Sequence, residues 1–245
     1  MPNLKNHPFA VEAFFEKSMV LTYAFPKDNL ENLIPKCLEL DIFQDKFAFI
    51  AVAIVQTKKL RPKGFPEFLG NYFILAGYRI FVRFRNSKGK RLRGLYILQS
   101  ETNRKKMEFF GNIFTHYNYG TTDISIELSG KKIKIHSKKS GLNIEFFQNG
   151  NESKLPVNSP FSDWKEARKF AGPMPFTFTF DEVKNEVLII EGVRNNWKPE
   201  PLEIFAESVE FLKNNDLDEG IPANAFVVEN IPYYWKKGKT EKWQQ

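Results

Sequence analysis

Cysteine and histidine are scarce in this sequence, which has one cysteine, Cys37, and three histidines in 245 residues. A single cysteine excludes a disulfide within the chain and favours a reducing, cytoplasmic location. The histidines are scattered and lack the close spacing to other ligands that a metal ion requires, so no metal site is expected. Glycine-rich phosphate loops and the G-x-S-x-G motif are also missing, and no cofactor is expected.

Long hydrophobic runs are missing as well. The longest, residues 47–55, falls well short of the ~20 residues that a membrane-spanning helix needs. Charged residues are spread through residues 1–20, which argues against the apolar core of a secretory signal. We therefore expect no membrane partner.

Positive charge is in excess, with a net charge of +7 and a pI near 9.3. It is concentrated in KKLRPK, RFRNSKGKRLR, NRKK and GKKIKIHSKK, which are typical of strand ends, turns and solvated faces. No recognition helix, zinc-finger spacing or RNP-type motif accompanies them, so a lysine-rich surface is the favoured interpretation. A nucleic-acid or anionic-surface binder stays open as an alternative.

Strands are indicated by strict alternation of apolar and polar residues, as antiparallel strands with one buried face require. Residues 47–55 and 92–99 are apolar on both faces and predict strands buried on both sides. The alternating segments are 123–128, 132–136, 142–146 and 176–180.

Helices are expected to be few. Residues 27–36 and 162–171 predict short ones, the second with Ser162 as N-cap and Gly172 just past its end. Residues 202–212 fit helix or strand, and we favour strand. The prediction is one mainly β (α+β) domain spanning 1–245.

Several motifs occur in an order typical of a known family. They are LENLIPKCLELDIFQDKFAFIAVAIV (30–55), LRPKGFP (60–66), GYRIFVRF (77–84), GLYILQSE (94–101) and a late segment ending in NNWKPEPL (195–202). Over about residues 15–212 the chain resembles DUF2071, a family of uncharacterised bacterial proteins that is similar in fold to acetoacetate decarboxylase. The resemblance implies an antiparallel barrel- or cone-like sheet around a small-molecule cavity, with few short peripheral helices.

Acetoacetate decarboxylases use a buried lysine that forms a Schiff base with a β-keto acid. The resemblance places that lysine at about Thr115 and the family's strand glutamate at Leu75. Thr115 cannot form an imine and Leu75 cannot transfer a proton, so Schiff-base chemistry is not expected. Lys105 or Lys106 could restore it if the alignment slips, and a decarboxylase-like lyase therefore stays open.

Arg79 and His116 are the leading candidates for a site. Arg79 lies in the middle of a predicted strand and needs an anion, which could be a ligand carboxylate or a structural partner such as Glu101. His116, between aromatic residues in an apparent loop, could be an acid or base or merely hydrogen-bonded packing. His136 is expected to be solvated, and His7 to lie in a mobile N-terminus.

Together these inferences predict a protein that holds a small organic anion in a barrel cavity. Whether it catalyses a reaction is left open, and any chemistry would be lyase-like acid/base work on a small carboxylic acid. A homo-oligomer is also left open. The residues expected to line the cavity are Arg79, Tyr78, Glu101, Thr115, His116 and Tyr117.

Overall fold

The computed structural model describes residues 4–150, 153–195 and 197–243. Strands dominate, as the alternating sequence predicts. They are β1 Val11–Pro26, β2 Glu39–Leu40, β3 Phe47–Pro62, β4 Asn71–Arg85, β5 Arg91–Thr102, β6 Tyr119–Thr121, β7 Ser125–Ser129, β8 Lys132–Ser137, β9 Leu142–Phe147, β10 Phe176–Asp181, β11 Glu186–Arg194, β12 Glu200–Pro201, β13 Glu203–Val209, β14 Ile221–Trp235 and β15 Lys239–Lys242. The helices are α1 Asp28–Glu31, α2 Lys105–Phe114, α3 Trp164–Ala171 and α4 Glu210–Lys213, with 3-10 turns at Leu4–Asn6 and Glu67–Leu69.

The large sheet closes into a barrel. Its strands run in the order β14-β1-β3-β4-β5-β10-β11, and β11 pairs again with β14. Closure pairs the backbone groups that an open sheet would leave at its edges. The predicted barrel of mainly antiparallel strands is confirmed, with two parallel pairs in addition, β5 with β10 and β5 with β6.

A second sheet, in the order β13-β9-β8-β7, covers part of the outer barrel face. Strand β3 is therefore buried on both sides, as its sequence predicts. Ile50, Val52 and Ile54 share a core cluster with the second sheet, whereas Ala51 and Ala53 face the barrel interior. Fully burying each large aliphatic side chain contributes roughly 1.5–3 kcal/mol to folding.

Helix α3 closes one end of the barrel, because its buried Ala167 and Ala171 pack on inward-facing strand residues. The N-cap is Asp163, which accepts a hydrogen bond from the Glu166 amide, so the prediction of Ser162 as N-cap was wrong by one residue. Ser162 instead binds the Glu166 carboxylate through its amide and its hydroxyl.

Two other predicted boundaries were wrong. The helix expected over 27–36 ends at Glu31, and Pro35 explains why it cannot continue far, since proline breaks the helical hydrogen-bond ladder. The strand expected over 202–212 ends at Val209, and the chain turns into α4.

Helix α2 was not among the predicted helices. Met107, Gly111 and Phe114 recur at the spacing of one helix face. The N-terminal segment packs against this helix: the His7 amide donates to the Phe114 carbonyl over 3.2 Å, and Phe9 meets the Phe114 ring edge-to-face. His7 is only 6% exposed, so its expected place in a mobile terminus was wrong.

None of the helices within the described ranges combines the length and the hydrophobicity needed to cross a membrane.

Candidate functional site: an arginine in the barrel cavity

The barrel surrounds a cavity of about 140 Å³. Inward-pointing strand residues form most of its wall, and segment 172–175 after α3 forms one side. A cavity of similar size in another protein holds benzene, so this one suits roughly six non-hydrogen atoms. Representative apolar wall residues are Ala53, Val55, Phe81, Ile97 and Phe226.

Arg79 brings a positive charge into this apolar cavity. Its Nε atom is buried without a hydrogen-bond partner, and the side chain forms no ion pair with any described residue. The accessible part of the side chain lines the cavity. The guanidinium lies over Gly77, where an added Cβ would stand 2.9 Å from Nε and 3.0 Å from Nη2. Burial lowers the pKa of Arg79, yet a guanidinium stays protonated in proteins, so this charge needs an anion.

Tyr117, Tyr119 and Tyr233 surround the Arg79 guanidinium. Burial raises the pKa of Tyr117 to about 12 and raises that of Tyr119 as well. Both hydroxyls are therefore neutral at physiological pH and can donate hydrogen bonds. Tyr117 Oη lies 3.0 Å from Thr177 Oγ1, a contact that fixes its ring beside the arginine.

A second cation, Arg194, lines the cavity at the end of β11. Its Nη2 donates to the Pro173 carbonyl over 2.8 Å, and its guanidinium lies 4.7 Å from the Trp197 ring centroid. These partners carry no negative charge. Among the described residues that line the cavity, none is aspartate, glutamate, histidine or lysine. Two positive charges without a negative one favour an anionic ligand.

A second cavity, of about 500 Å³, lies between the N-terminal segment, α2 and the start of β1; we call it the outer chamber. Its lining is mainly apolar, with Phe9, Val11, Phe110 and Phe114 among its walls. It shares part of its wall with the barrel cavity, so the two spaces adjoin. The shared residues are Leu60, Met107, Tyr117, Tyr119 and Trp235.

The predicted residues Thr115 and His116 lie near the outer chamber rather than beside Arg79. Thr115 lines that chamber and donates from its hydroxyl to the Gly111 carbonyl over 2.8 Å, ending α2. His116 lines neither cavity, and its Nε2 lies 3.1 Å from Asn6 Oδ1. Burial, followed by the nearby charge of Lys5, lowers the pKa of His116. His116 thus contacts the N-terminal 3-10 turn and borders neither cavity.

Tyr78 and Glu101 lie on the opposite face of the barrel wall, between the two sheets. Tyr78 is fully buried and stacks on Phe211 with ring centroids 3.9 Å apart. Glu101 is 3% exposed, and Gln99 Nε2 approaches its Oε1 at 3.4 Å. Burial raises the pKa of Glu101. The structural alternative for Arg79, a pair with Glu101, is not formed.

Part of the positive charge in the basic segments is paired with carboxylates. Lys58 pairs with Glu16, and Arg61 with Glu12 at 2.9 Å. His136 is exposed, as expected. Cations paired in this way are poor candidates for contacting phosphates, whereas those of NRKK form no ion pair with any described residue.

The sequence matches the family DUF2071, described as an uncharacterized conserved protein, over residues 13–231. The chain belongs to this family. Among curated proteins, none matches the sequence of this DUF2071 protein. The family resemblance drawn from the sequence motifs is confirmed.

Solved structures extend the likeness to acetoacetate decarboxylases. The enzyme of Legionella pneumophila is 10% identical with a TM-score of 0.61, covering 96% of this chain and 88% of that one. An acetoacetate decarboxylase-like enzyme from Sphingomonas wittichii is 10% identical with a TM-score of 0.58, covering 98% and 94%. MppR, an enduracididine biosynthesis enzyme complexed with pyruvate, is 10% identical with a TM-score of 0.52, covering 95% and 88%. At these identities the likeness shows the fold alone.

The two positions that the resemblance assigns to decarboxylase chemistry lie at different places in this DUF2071 protein. Leu75 lines the barrel cavity, and Thr115 lines the outer chamber. Lys105 and Lys106 are both exposed at the start of α2, and of the two only Lys106 lines the outer chamber.

Sequence reasoning missed several residues around Arg79, chiefly Tyr119, Arg194, Trp197 and Tyr233. Tyr233 lies on β14, which brings it into the barrel wall. Gly192 lies two positions before Arg194 on β11. A side chain there would collide with Tyr233, since an added Cβ would stand 2.0 Å from its hydroxyl.

Proposed function

We propose that this DUF2071 protein binds a small organic carboxylate in its barrel cavity, with Arg79 as the anchor. The observation that carries the proposal is a buried guanidinium without an ion pair or hydrogen bond to any described residue. Burying an unpaired charge is costly, so a fold that keeps one gains by binding the opposite charge.

The geometry around Arg79 suits a carboxylate. A guanidinium can donate two parallel hydrogen bonds to a carboxylate, and neutral tyrosine hydroxyls can donate further ones. Tyr117 and Tyr119 lie beside the arginine and are kept neutral by burial. The cavity of about 140 Å³ limits the part of the ligand that it holds to a small group.

Binding without imine formation is the chemistry that the cavity lining supports. A Schiff base needs a lysine that reaches the bound acid, and the described lining contains none. The single buried, free Cys37 supports a cytoplasmic location for this activity.

The test is a thermal-shift series with keto and hydroxy acids of two to six carbons. A ligand at about 100 times its Kd adds about 2.7 kcal/mol, which raises the Tm of a chain of this size by roughly 5–10 °C. Arg79→Met should abolish the shift. Arg85→Met is the matched control, because Arg85 is exposed at the end of the same strand, and it should keep the shift. No response to any acid in the wild-type protein would overturn the proposal.

Imine chemistry at Lys106 is a second candidate, favoured by its position on the outer chamber. Reduction with borohydride in the presence of acetoacetate or pyruvate would trap such an imine as an added mass on the α2 peptide. An unmodified α2 peptide rules this candidate out. Lys105→Arg is the control, because Lys105 is exposed beside Lys106 but does not line the outer chamber, so this variant should still be modified.

A further inference from the structure

The barrel cavity and the outer chamber differ in size and in their lining. Arg79 and Arg194 lie on the inner cavity. Arg61 and Lys106 lie on the outer chamber, but its lining is mainly apolar and it is more than three times larger, at about 500 Å³ against about 140 Å³. A ligand that fills only the inner cavity leaves most of this apolar surface without a partner. Apolar surface of this kind is a source of binding free energy for an apolar group.

Tyr117 and Tyr119 lie at the boundary of the two spaces. Both line both cavities, and both lie near the Arg79 guanidinium. The Tyr119 ring packs directly on α2, since a Cβ added at Gly111 would stand 2.4 Å from its Cδ2. A carboxylate at Arg79 therefore has the outer chamber next to it, past the two tyrosine rings.

Lys106 forms no ion pair with any described residue, and His7 Nδ1 is buried without a hydrogen-bond partner, but three other polar side chains of the outer chamber are engaged elsewhere. Arg61 pairs with Glu12 at 2.9 Å and donates to main-chain carbonyls. The Asn71 side chain donates to the Leu60 carbonyl at 3.3 Å, and the Thr115 hydroxyl is likewise bonded to a carbonyl. These residues have little capacity left for a polar ligand group, whereas the phenylalanine walls are free to pack against an apolar one.

The outer chamber also reaches the protein surface. Phe110 lines it and is 42% exposed, and Lys106 lines it and is exposed as well. A ligand can therefore enter through this chamber and insert its charged end first toward Arg79.

From these observations we propose that the ligand is an amphiphilic monocarboxylic acid, whose carboxylate binds Arg79 and whose hydrocarbon tail occupies the outer chamber. This inference rests on the proposed function and adds the class of acid. It assigns the discrimination between acids to Val11, Phe110 and Phe114, which line the outer chamber and lie away from the charged group.

Isothermal titration calorimetry with straight-chain acids tests it, using butanoate, hexanoate and octanoate on the wild-type protein. Burying one methylene is worth about 0.8 kcal/mol, which is a factor of about three to four in Kd. We expect octanoate to bind about a hundredfold more tightly than butanoate. Arg79→Met should weaken all three acids, and octanol should bind much more weakly than octanoate.

Val11→Phe places a ring in the outer chamber and should weaken octanoate at least tenfold while leaving butanoate unchanged. Val183→Phe is the matched control, since Val183 is 97% exposed in a turn, and it should bind like the wild type. The wild-type series decides the inference even if Val11→Phe fails to fold.

The outcomes separate the two proposals. If short acids bind in an Arg79-dependent way and affinity stays flat or falls with chain length, the tail inference is wrong and the proposed function stands. If suberate, the dicarboxylate of the same length, binds better than octanoate, the outer chamber takes a second charge and the inference is also wrong. If no acid binds, both proposals fail.

Discussion

Two arginines on one strand, Arg79 and Arg83, have opposite surroundings. Arg83 forms an ion pair of 2.5 Å with Asp41, which is fully buried and also binds Arg93 at 2.5 Å. Arg79 lies in the barrel cavity without an ion pair to any described residue. The charge of Arg83 is paired with a carboxylate of the same chain, whereas the charge of Arg79 has no such partner among the described residues. Identical side chains four positions apart thus have carboxylate partners within the fold in one case and, in the proposed function, a ligand as partner in the other.

Glu101, on the neighbouring strand β5, is the negatively charged counterpart of Arg79. It is a buried carboxylate that forms no ion pair with any described residue. Its surroundings are the hydroxyls of Ser140 and Tyr78 and the amide of Gln99. The barrel wall keeps the cation and the anion apart, because they point to opposite faces of the same pair of strands.

The largest change in stability is expected from breaking the ion pairs that Asp41 forms with Arg83 and Arg93. Asp41→Asn removes the charge that holds Arg83 and Arg93, and we expect a loss of about 2–4 kcal/mol in the free energy of unfolding. The lower part of this range applies because both arginines keep about a third of their surface exposed, at 32% and 36%. Urea denaturation measures it.

Glu39→Gln is the control for this prediction. Glu39 and Arg91 lie 3.9 Å apart with more than half of each side chain exposed, so the change should cost less than about 0.5 kcal/mol. Equal losses in the two variants would show that burial of Asp41 does not matter.

Arg79→Met should increase the free energy of unfolding, whereas Asp41→Asn should decrease it. Replacing a buried charge without a partner by an apolar side chain removes a desolvation cost, and we expect stability to rise by about 1–3 kcal/mol. Urea denaturation without ligand measures it, with Arg85→Met as the unchanged control. A loss of stability comparable to that of Asp41→Asn would show that Arg79 is a structural residue.

Gly77→Ala sharpens the comparison by moving the charge of Arg79 without removing it. The added Cβ would lie within 3.0 Å of the guanidinium, and that flexible group can shift at a cost below about 1 kcal/mol. We expect carboxylate affinity to fall about tenfold, measured by calorimetry. Gly120→Ala is the control, because nothing lies within 4 Å of its added Cβ. Wild-type affinity in Gly77→Ala would contradict the proposed position of the ligand.

Glu101→Gln should change the pH dependence of stability. Burial raises the folded-state pKa of Glu101 above its ordinary value of 4.5, so the folded protein binds the proton more tightly than the unfolded chain. Wild-type stability is therefore lost as pH rises from about 4.5 through the folded-state pKa. The glutamine variant does not titrate, and its stability relative to wild type should rise over that range and then stay constant.

Glu127→Gln, at an exposed position of β7, provides the comparison for this effect. Urea denaturation between pH 4 and pH 8 measures both variants. A difference for Glu101→Gln that does not change with pH would show that the buried carboxylate has an ordinary pKa.

Several strands and the family could be predicted from local sequence, whereas β1, β11 and β14 were not predicted. Alternation in residues 132–136 and 142–146 and the two-sided hydrophobicity of residues 47–55 depend on neighbours along one strand, so each segment carries its own signal. Arg79 could be predicted for the same reason, since a charge in the middle of an apolar strand is visible without knowing its partners.

The composition of the site could not be predicted in this way. Arg194 and Tyr233 line the same cavity as Arg79 because β11 pairs with both β10 and β14 and so closes the barrel, and Tyr119 lines it through the pairing of β6 with β5. Helix α2 was not predicted, although Met107, Gly111 and Phe114 have helical spacing. Closure and helix packing depend on residues far apart in sequence.

The sequence by itself determined about half of the strands, the family and the position of one buried arginine. Only the tertiary structure decided which side of the wall each polar residue faces. Tyr78 and Glu101 were expected beside Arg79, but Tyr78 is adjacent to it on a strand and must point to the other face. Glu101 lies opposite Ala76, on the face of Tyr78. Whether a face borders the cavity or the second sheet depends on how the strands close and pack, which no single segment specifies.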